Sequence, residues 1–201
     1  MRRGTVHIVD DDPAIGRALA LVAKAAGIEA EAHVSAEAFL DRFDPETTGC
    51  LVTDVRMPGM NGLELQRAVK ARDAATAVVM ISGHAAVSMA VEALKGGAVD
   101  FIEKPFDETV FLSAVRTAMA TTQEQSERRL EQERQRDRLG QLSAREREVM
   151  DLIVAGRSSP SIARALGISV RTVETHRARV MEKMDAGCLA DLVRLSVRFA
   201  E

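Results

Sequence analysis

The sequence predicts an α/β domain with a five-stranded, doubly wound parallel sheet, followed by a small all-α domain. Short β-rich runs alternate with amphipathic helical windows in the first part of the chain, and the last part looks all-helical. Several of the runs are apolar throughout, which is typical of strands that are buried on both faces of a parallel sheet. The predicted boundaries are residues 1–121 for the sheet domain, 122–142 for a linker and 143–201 for the helical domain.

Five β-rich runs define the predicted sheet. They are Val6–Asp10, Ile28–His33, Cys50–Asp54, Ala77–Ser82 and Val99–Ile102. Apolar residues at helical spacing mark the helices between the strands, and these residues are Ile15/Leu19/Val22, Ala36/Phe39/Leu40, Leu63/Leu65/Val69 and Val87/Val91/Leu94. Because the βα units follow one another directly, we expect helices on both faces of the sheet.

The predicted linker is dense in charged residues and lacks helix breakers. No glycine occurs between Gly97 and Gly140, and no proline between Pro105 and Pro160. The last helix of the sheet domain, capped by Asp107, is therefore able to continue through the linker. Apolar residues are few there and do not repeat every seven positions. A solvated helix is the prediction for this segment, and a short dimeric coiled coil is the alternative.

Start and stop signals divide the last domain into four helices. Ser143 and Glu146 form a capping-box pattern at the start of the first helix, which ends at Gly156. The second helix runs from Ser159 to Gly167, the third over Val170–Met184 after the cap Ser169, and the fourth over Cys188–Ala200. A short helix, a Gly-containing turn and a longer helix with outward basic residues form a helix-turn-helix pattern.

Charge is divided unequally along the chain. The formal net charge is −3, from 27 Lys and Arg against 30 Asp and Glu. Residues 1–121 carry −5, the linker is neutral, and residues 143–201 carry +2. The change of sign predicts separate partners for the two halves, which the total conceals.

Composition excludes several classes of protein. Hydrophobic residues make up 46% of the chain, which excludes a fully disordered protein. The apolar runs are far shorter than the ~20 residues that cross a bilayer, and the acidic N-terminal region does not resemble a signal peptide. Cys50 and Cys188 lie far apart, so the sequence indicates neither a disulfide scaffold nor a cysteine metal site. We therefore expect a cytoplasmic protein with no membrane partner.

Polar side chains converge at the carboxyl ends of the predicted strands, where open α/β sheets bind ligands. They are Asp10 and Asp11 at the end of the first strand, Asp54 at the end of the third, Ser82 at the end of the fourth and Lys104 after the fifth. Carboxylates ~4 Å apart repel by ~4 kcal/mol at an effective dielectric constant of ~20. Such a cluster requires a cation, and its oxygen ligands suit Mg²⁺. Asp12, which precedes Pro13, is predicted to serve mainly as a helix N-cap.

Four motifs resemble those of the receiver domains of two-component response regulators. They are Ile8-Val9-Asp10-Asp11-Asp12, Asp54-Val55-Arg56-Met57-Pro58-Gly59-Met60-Asn61-Gly62, Ile81-Ser82-Gly83-His84 and Glu103-Lys104-Pro105-Phe106. The motifs occur in the family's order and spacing over residues 4–121. The resemblance implies a flavodoxin-like fold in which Asp54 accepts a phosphoryl group from a phosphohistidine of a sensor histidine kinase.

The resemblance also implies a metal site around Asp54. Asp11, Asp54 and the backbone carbonyl of Arg56 would bind Mg²⁺ or Mn²⁺, and Asp10 would assist, through a water molecule. Arg56 and His84 would lie along the route of the water that attacks the phosphoryl group. We expect these two residues to tune dephosphorylation.

A second set of roles implied by the resemblance concerns the switch. Lys104, before a cis Lys104–Pro105 bond, would supply a positive charge to the phosphoryl group, and Ser82 would hydrogen-bond it. Phe101 would occupy the switch aromatic position and move as Ser82 moves. The alternative is that Phe101 is an ordinary core residue with no role in the switch. The repacked face, formed by the fourth helix and fifth strand, is expected to make a homodimer.

The last domain resembles the LuxR-type helix-turn-helix. The match is carried by Leu142-Ser143-Ala144-Arg145-Glu146-Arg147-Glu148-Val149, Ile162-Ala163-Arg164-Ala165-Leu166-Gly167-Ile168-Ser169 and Thr172-Val173-Glu174-Thr175-His176-Arg177-Ala178-Arg179-Val180-Met181. The resemblance implies binding to duplex DNA, with Val173, Val180 and Met184 facing the domain core. The sequence departs from the LuxR-type pattern at Ser158-Ser159-Pro160-Ser161, where relatives usually carry charged residues.

The expected DNA contacts fall into two groups. Residues near base edges are Glu174, Thr175 and Ala178. Residues expected at or near phosphates are Arg171, Thr172, His176, Arg177, Arg179 and Lys183. For His176, packing against the scaffold helix is an alternative.

The two halves together predict a DNA-binding transcriptional response regulator of the FixJ/NarL type, whose binding is switched by phosphorylation of Asp54. A phosphohydrolase with an Asp nucleophile is a weaker reading, since such enzymes need a carboxylate two residues after the nucleophile and this chain has Arg56 there. An RNA-binding or protein-binding output is a second alternative, but the chain has no Trp or Tyr for a stacking platform.

Overall fold

The structure of the protein is a computed structural model that describes residues 4–83 and 87–197. The chain divides into two compact units between Glu127 and Arg128. The first unit is an α/β domain and the second is helical, as the order of elements in the sequence predicts.

Five parallel strands form the sheet of the first unit. Their bounds are β1 (Thr5–Val9), β2 (Ala30–His33), β3 (Thr48–Asp54), β4 (Val78–Ser82) and β5 (Asp100–Glu103). The strand order is β2-β1-β3-β4-β5, and every neighbouring pair is parallel. The predicted doubly wound sheet is confirmed.

Helices cover both faces of this sheet. They are α1 (Pro13–Ala25), α2 (Ala36–Leu40), α3 (Gly62–Arg72), α4 (Val87–Lys95) and α5 (Glu108–Gly140). Phe111 and Val115 of α5 pack with α1 on one face of the sheet, and Phe39 and Leu65 pack with α4 on the other. Each face therefore has its own apolar core, which holds the strand ends in place.

The second strand begins two residues later than predicted. The N–H of Ile28 donates to the carbonyl of Ala23 at 3.0 Å, so Ile28 completes the end of α1 rather than pairing in the sheet. Gly27 makes this possible because its φ is +76°, in the left-handed region that favours glycine. Ile28 is apolar because it packs against the core, which is why the sequence pattern includes it in the strand.

The spacing of the apolar residues in α4 predicts the helix correctly but does not identify which of its faces is buried. Val87 is 81% exposed, and Val91 and Leu94 are also exposed, whereas Ala93 is fully buried. The helix therefore presents an apolar stripe outward and packs inward through Ala93 and Met89.

The last helix of the sheet domain is continuous through the predicted linker, from Glu108 to Gly140, as the absence of breakers suggested. Its cap is also as predicted, because the Asp107 carboxylate accepts from Val110 N at 2.9 Å. Packing in the first unit extends past the predicted boundary at residue 121. The hydroxyl of Thr122 accepts from Ala77 N at 2.9 Å and donates to the carbonyl of Ala118 at 3.1 Å.

Four helices and the end of α5 build the second unit. They are α6 (Ala144–Val154), α7 (Ser159–Leu166), α8 (Val170–Lys183) and α9 (Leu189–Val197). The capping box of Ser143 and Glu146 is present, with both hydrogen bonds. Val173, Val180 and Met184 are buried in one core, as the pattern predicts. The end that was predicted for the last helix, Ala200, lies outside the described residues.

Candidate functional site

Two carboxylates and one ammonium group meet at the carboxyl edge of the sheet. Asp10 directly follows β1, Asp54 ends β3 and Lys104 follows β5. Lys104 Nζ lies 2.9 Å from Asp10 Oδ2 and 2.6 Å from Asp54 Oδ2. The structure thus brings together three residues from separate strand ends, as the sequence predicts.

The ammonium group remains charged in this setting. The side chains of Asp10 and Asp54 are largely buried, and that of Lys104 is partly buried. Burial acts to lower the pKa of Lys104, but the hydrogen bonds to Asp54 and Asp10 outweigh it, and the pKa is raised. Lys104 therefore offsets part of the repulsion between the carboxylates at neutral pH.

The second oxygen of each carboxylate is fixed by the backbone. Asp10 Oδ1 accepts from Asp12 N at 2.9 Å, and Asp54 Oδ1 accepts from Arg56 N at 2.8 Å. Asp12 in turn caps α1 by accepting from Ala14 N at 2.8 Å, which confirms its predicted role. Both oxygens of each carboxylate are therefore held by hydrogen bonds, an arrangement that favours catalysis by fixed charges.

Gly62 permits the close approach of α3 to Asp54. Its N–H donates to the carbonyl of Val55 at 3.0 Å. A Cβ atom at this position would overlap with the backbone carbonyl of Asp54. The first residue of α3 therefore has to lack a side chain.

We expect Gly62→Ala to lower the free energy of unfolding by about 1–3 kcal/mol, because the added methyl displaces the backbone at Asp54. Urea unfolding of the full chain measures the change. Gly83→Ala is the matched control, since a Cβ at Gly83 meets no atom within 4 Å among the described residues other than its chain neighbours. Equal stability of Gly62→Ala and the wild type would contradict this packing.

The other predicted pocket residues differ in exposure. Ser82 ends β4 and is buried, and its carbonyl accepts from Lys104 N at 2.8 Å. Phe101 is partly buried against the core on the α4 side. Asp11 and Arg56 are exposed. His84 lies outside the described residues. The Lys104–Pro105 peptide bond is cis, as the resemblance implied.

The pocket has the composition of a divalent-cation site. Asp10, Asp54 and the adjacent Asp11 carry three negative charges, whereas Lys104 carries one positive charge. Carboxylate oxygens in excess over the nearby cation fit Mg²⁺, which prefers oxygen ligands and retains water. An ion bound there would share Asp10 and Asp54 with Lys104.

A contact to the loop that follows Asp54 has no counterpart among the predicted site residues. Glu37 Oε1 accepts from Met60 N at 3.2 Å, which ties α2 to this loop. Hydrogen bonds from its own backbone, from Ser35 and from Met60 lower the pKa of Glu37. No sequence signal marks it, because an acidic residue in the first turn of a helix is ordinary.

In the second unit, α7 and α8 form the predicted helix-turn-helix. Gly167 ends α7 with φ +66°, in the left-handed region. Ser169 then caps α8 by accepting from Thr172 N at 3.1 Å. Buried Val173 and Val180 fix the rotation of α8 about its axis. The exposed residues of α8 among the predicted DNA contacts are Arg171, Thr172, Glu174, Thr175, Ala178 and Arg179.

Three predicted DNA contacts are partly buried. Arg177 Nη1 lies 3.4 Å from Ser159 Oγ at the start of α7. The Nδ1 atom of His176 is buried and has no hydrogen-bond partner among the described residues. Lys183 is predicted to contact phosphate, but its ammonium group donates hydrogen bonds inside the second unit. The acceptors are Glu146 Oε2 at 2.7 Å and the carbonyl of Gln141 at 3.1 Å. The reason is that Glu146 is buried and requires a cation.

The pair of Glu146 and Lys183 gives a prediction on acid stability. Lys183 and the Ser143 backbone lower the pKa of Glu146 from 4.5 to about 2. The stability that this shift contributes is fully present above about pH 4.5 and is lost as the pH falls toward about 2, because the unfolded chain takes up the proton first.

We expect Glu146→Gln to be less stable than the wild type at neutral pH and to lose less further stability across that range. Circular dichroism of urea unfolding at several pH values measures this. The exposed Glu182→Gln is the control, and an unchanged acid profile in Glu146→Gln would contradict the prediction.

Among the residues that the structure describes, no helix combines the length and apolar character that crossing a membrane requires.

Each of the two units matches a known protein family. Residues 6–116 match the family model of the response regulator receiver domain, and residues 140–196 match that of the bacterial regulatory proteins of the luxR family. The transcriptional regulatory protein FixJ of Azorhizobium caulinodans is 46% identical over 96% of this chain and 91% of its own length. The solved structure of the response regulator StyR has a TM-score of 0.90 at 37% identity, covering 98% of this chain and 99% of that one. Full-length FixJ from B. japonicum has a TM-score of 0.60 at 38% identity, covering 100% of this chain and 98% of that one.

Proposed function

The chain belongs to the response regulators that join a receiver domain to a LuxR-type DNA-binding domain, and from this premise we propose which residues perform each step. It is a transcriptional regulator whose DNA binding is controlled by phosphorylation, and its partners are a sensor kinase and DNA. We assign the phosphoacceptor to Asp54. The observation that carries this assignment is the bridge from Lys104 to both Asp54 and Asp10, which places a cation at the carboxylate oxygens.

The proposed metal is Mg²⁺, and Mn²⁺ is the expected substitute. Receiver domains generally bind Mg²⁺ at an acidic pocket. In this chain the ligands would be Asp11, Asp54 and the carbonyl of Arg56, with Asp10 assisting. When bound there, the ion would supply positive charge that neutralises the phosphoryl group.

Lys104 and Ser82 are proposed to bind the transferred phosphoryl group. Phosphorylation adds about −1.5 to −2 charge and three acceptor oxygens to Asp54. The raised pKa of Lys104 keeps its ammonium group available to pair with the new charge. Ser82 would then move toward the phosphoryl group, and Phe101 would fill the space it leaves. Arg56 and His84 are proposed to tune how fast water removes the group.

The face of α4 and β5 is the proposed dimer surface. Val87, Val91 and Leu94 form an exposed apolar stripe on α4. An apolar stripe on an otherwise charged domain is typical of an interaction surface. Phe101 lies on neighbouring β5, so its movement would change this face when Asp54 is phosphorylated. Each dimer would bind two DNA half-sites about one helical turn apart.

The exposed face of α8 is proposed to enter the major groove. Glu174, Thr175 and Ala178 would lie nearest the base edges. Arg171, Thr172 and Arg179 would bind phosphates. Arg177 and His176, which are partly buried, would contact phosphates at the edge of this face. Lys183 is left out of the proposed interface because its ammonium group pairs with Glu146.

We expect Glu174→Ala to relax the preference for one base pair in each half-site, at a cost of about 1–3 kcal/mol in discrimination. Its carboxylate is able to accept from the amino group of cytosine. Selection of bound duplexes from a random library, followed by sequencing, measures the preference. Glu182→Ala removes the same charge near the end of α8 and serves as the control. Identical preferences for Glu174→Ala and the wild type would remove Glu174 from base readout.

A further inference from the structure

Two buried histidines lie side by side on β1 and β2. His7 Nδ1 is 3.0 Å from His33 Nε2, and the two residues are 6% and 7% exposed. His7 pairs in register with Glu31, which lies two positions before His33 on β2. These positions point to the same face of the sheet. A ring nitrogen of each histidine and a carboxylate oxygen of Glu31 all lie within 4.8 Å of one another.

We propose that His7, His33 and Glu31 bind one Zn²⁺ ion. Two imidazole nitrogens and one carboxylate oxygen, with a fourth position open to water, form a recurrent zinc ligand set. This set differs in chemistry from the acidic pocket, whose oxygen ligands suit Mg²⁺. Because imidazole nitrogen favours zinc over magnesium, the two sites would select different ions.

The two rings have the neutral charge state that metal binding requires. Burial lowers the pKa of His7, and burial together with the neighbouring His7 lowers the pKa of His33 to about 4, so both rings are neutral at neutral pH. One of the two facing nitrogens now donates a hydrogen to the other. Metal binding moves that hydrogen to the other nitrogen of the same ring, with no net release of a proton.

The surroundings hold the ligands and leave an entry route. The buried ring of Phe39 packs against both histidines, with centroids 5.2 Å from His7 and 5.4 Å from His33. Glu31 is exposed on β2, an outer strand of the sheet, so an ion is able to enter from solvent. The positive charge of Arg42 disfavours a cation beside His33, and the negative charge of Glu31 favours one.

Zinc titration of the full-length, tag-free protein tests the site. Isothermal titration calorimetry with Zn²⁺ is carried out in excess Mg²⁺, which occupies the acidic pocket. Absorption of Co²⁺ in place of Zn²⁺ reports the coordination geometry independently. The informative variant is Glu31→Gln, because an exposed side chain is changed and the fold is kept. Glu29→Gln removes the same charge at a nearby exposed position and is the control.

We expect one equivalent of Zn²⁺ to bind the wild type and Glu29→Gln alike. Glu31→Gln should raise the Kd at least about tenfold, and His33→Asn should abolish binding and the tetrahedral Co²⁺ spectrum. Absence of binding to the wild type at micromolar Zn²⁺ would overturn the proposal. A Kd for Glu31→Gln equal to that of the wild type would also overturn it. This comparison remains valid even if His33→Asn fails to fold.

Discussion

Asp54→Asn is expected to abolish phosphorylation of the chain by a small phosphodonor in the presence of Mg²⁺. The carboxylate is the nucleophile of the proposed reaction, and a neutral amide does not replace it. The size of the side chain is kept and the amide oxygen still accepts from Lys104, but the amide nitrogen that replaces Oδ1 cannot accept from Arg56 N, so one hydrogen bond of the pocket is lost. Intact-protein mass spectrometry after incubation with the phosphodonor measures the modified fraction directly.

The control for this experiment is Asp12→Asn. It removes one negative charge close to the same strand end, yet asparagine caps a helix as well as aspartate does. Asp12→Asn should therefore accept the phosphoryl group as the wild type does. Modification of Asp54→Asn to the wild-type level would show that another residue is the phosphoacceptor.

Lys104→Met is expected to separate metal binding from phosphoryl transfer. Lys104 contacts Asp54 at 2.6 Å, and its loss removes the charged donor proposed to bind the transferring phosphoryl group. A charged hydrogen bond of about 1.5–3 kcal/mol in the transition state corresponds to a rate about 10- to 160-fold lower. Mg²⁺ should bind more tightly, because the ammonium group no longer competes for Asp10 and Asp54. The two effects have opposite directions, which simple unfolding does not produce.

Two measurements check the Lys104 prediction. Mg²⁺ affinity is obtained by titration, and the phosphorylation rate is followed by mass spectrometry with saturating Mg²⁺. The exposed Lys24→Met on α1 loses the same charge away from the pocket and should leave both quantities unchanged. An unaltered phosphorylation rate in Lys104→Met would contradict the role of the bridge.

The sheet and the acidic pocket could be predicted because their signals are local in the sequence. Strands buried on both faces are continuous apolar runs, and the end of each run marks the sheet edge at which Asp10, Asp54 and Lys104 meet. The helix-turn-helix was predictable for the same reason, since Gly167 and Ser169 each signal their own backbone geometry.

Contacts between distant side chains could not be predicted in this way. Lys183 reads as an outward basic residue of α8, but its partner Glu146 lies 37 positions earlier and is buried only in the folded unit. His7 and His33 stand on different strands, and nothing in either run shows that strand register places them together. The outward apolar stripe of α4 has the same helical spacing as a buried face, so spacing alone does not distinguish them.

DNA affinity with and without phosphorylation shows whether Asp54 controls DNA binding. Fluorescence anisotropy with a selected duplex, in Mg²⁺, compares the wild type and Asp54→Asn before and after addition of the phosphodonor, and footprinting of the same duplex shows how many half-sites are protected. We expect the phosphodonor to tighten binding of the wild type and to extend protection to two half-sites, and to change nothing in Asp54→Asn. An equal response of both proteins to the phosphodonor would contradict control of DNA binding through Asp54.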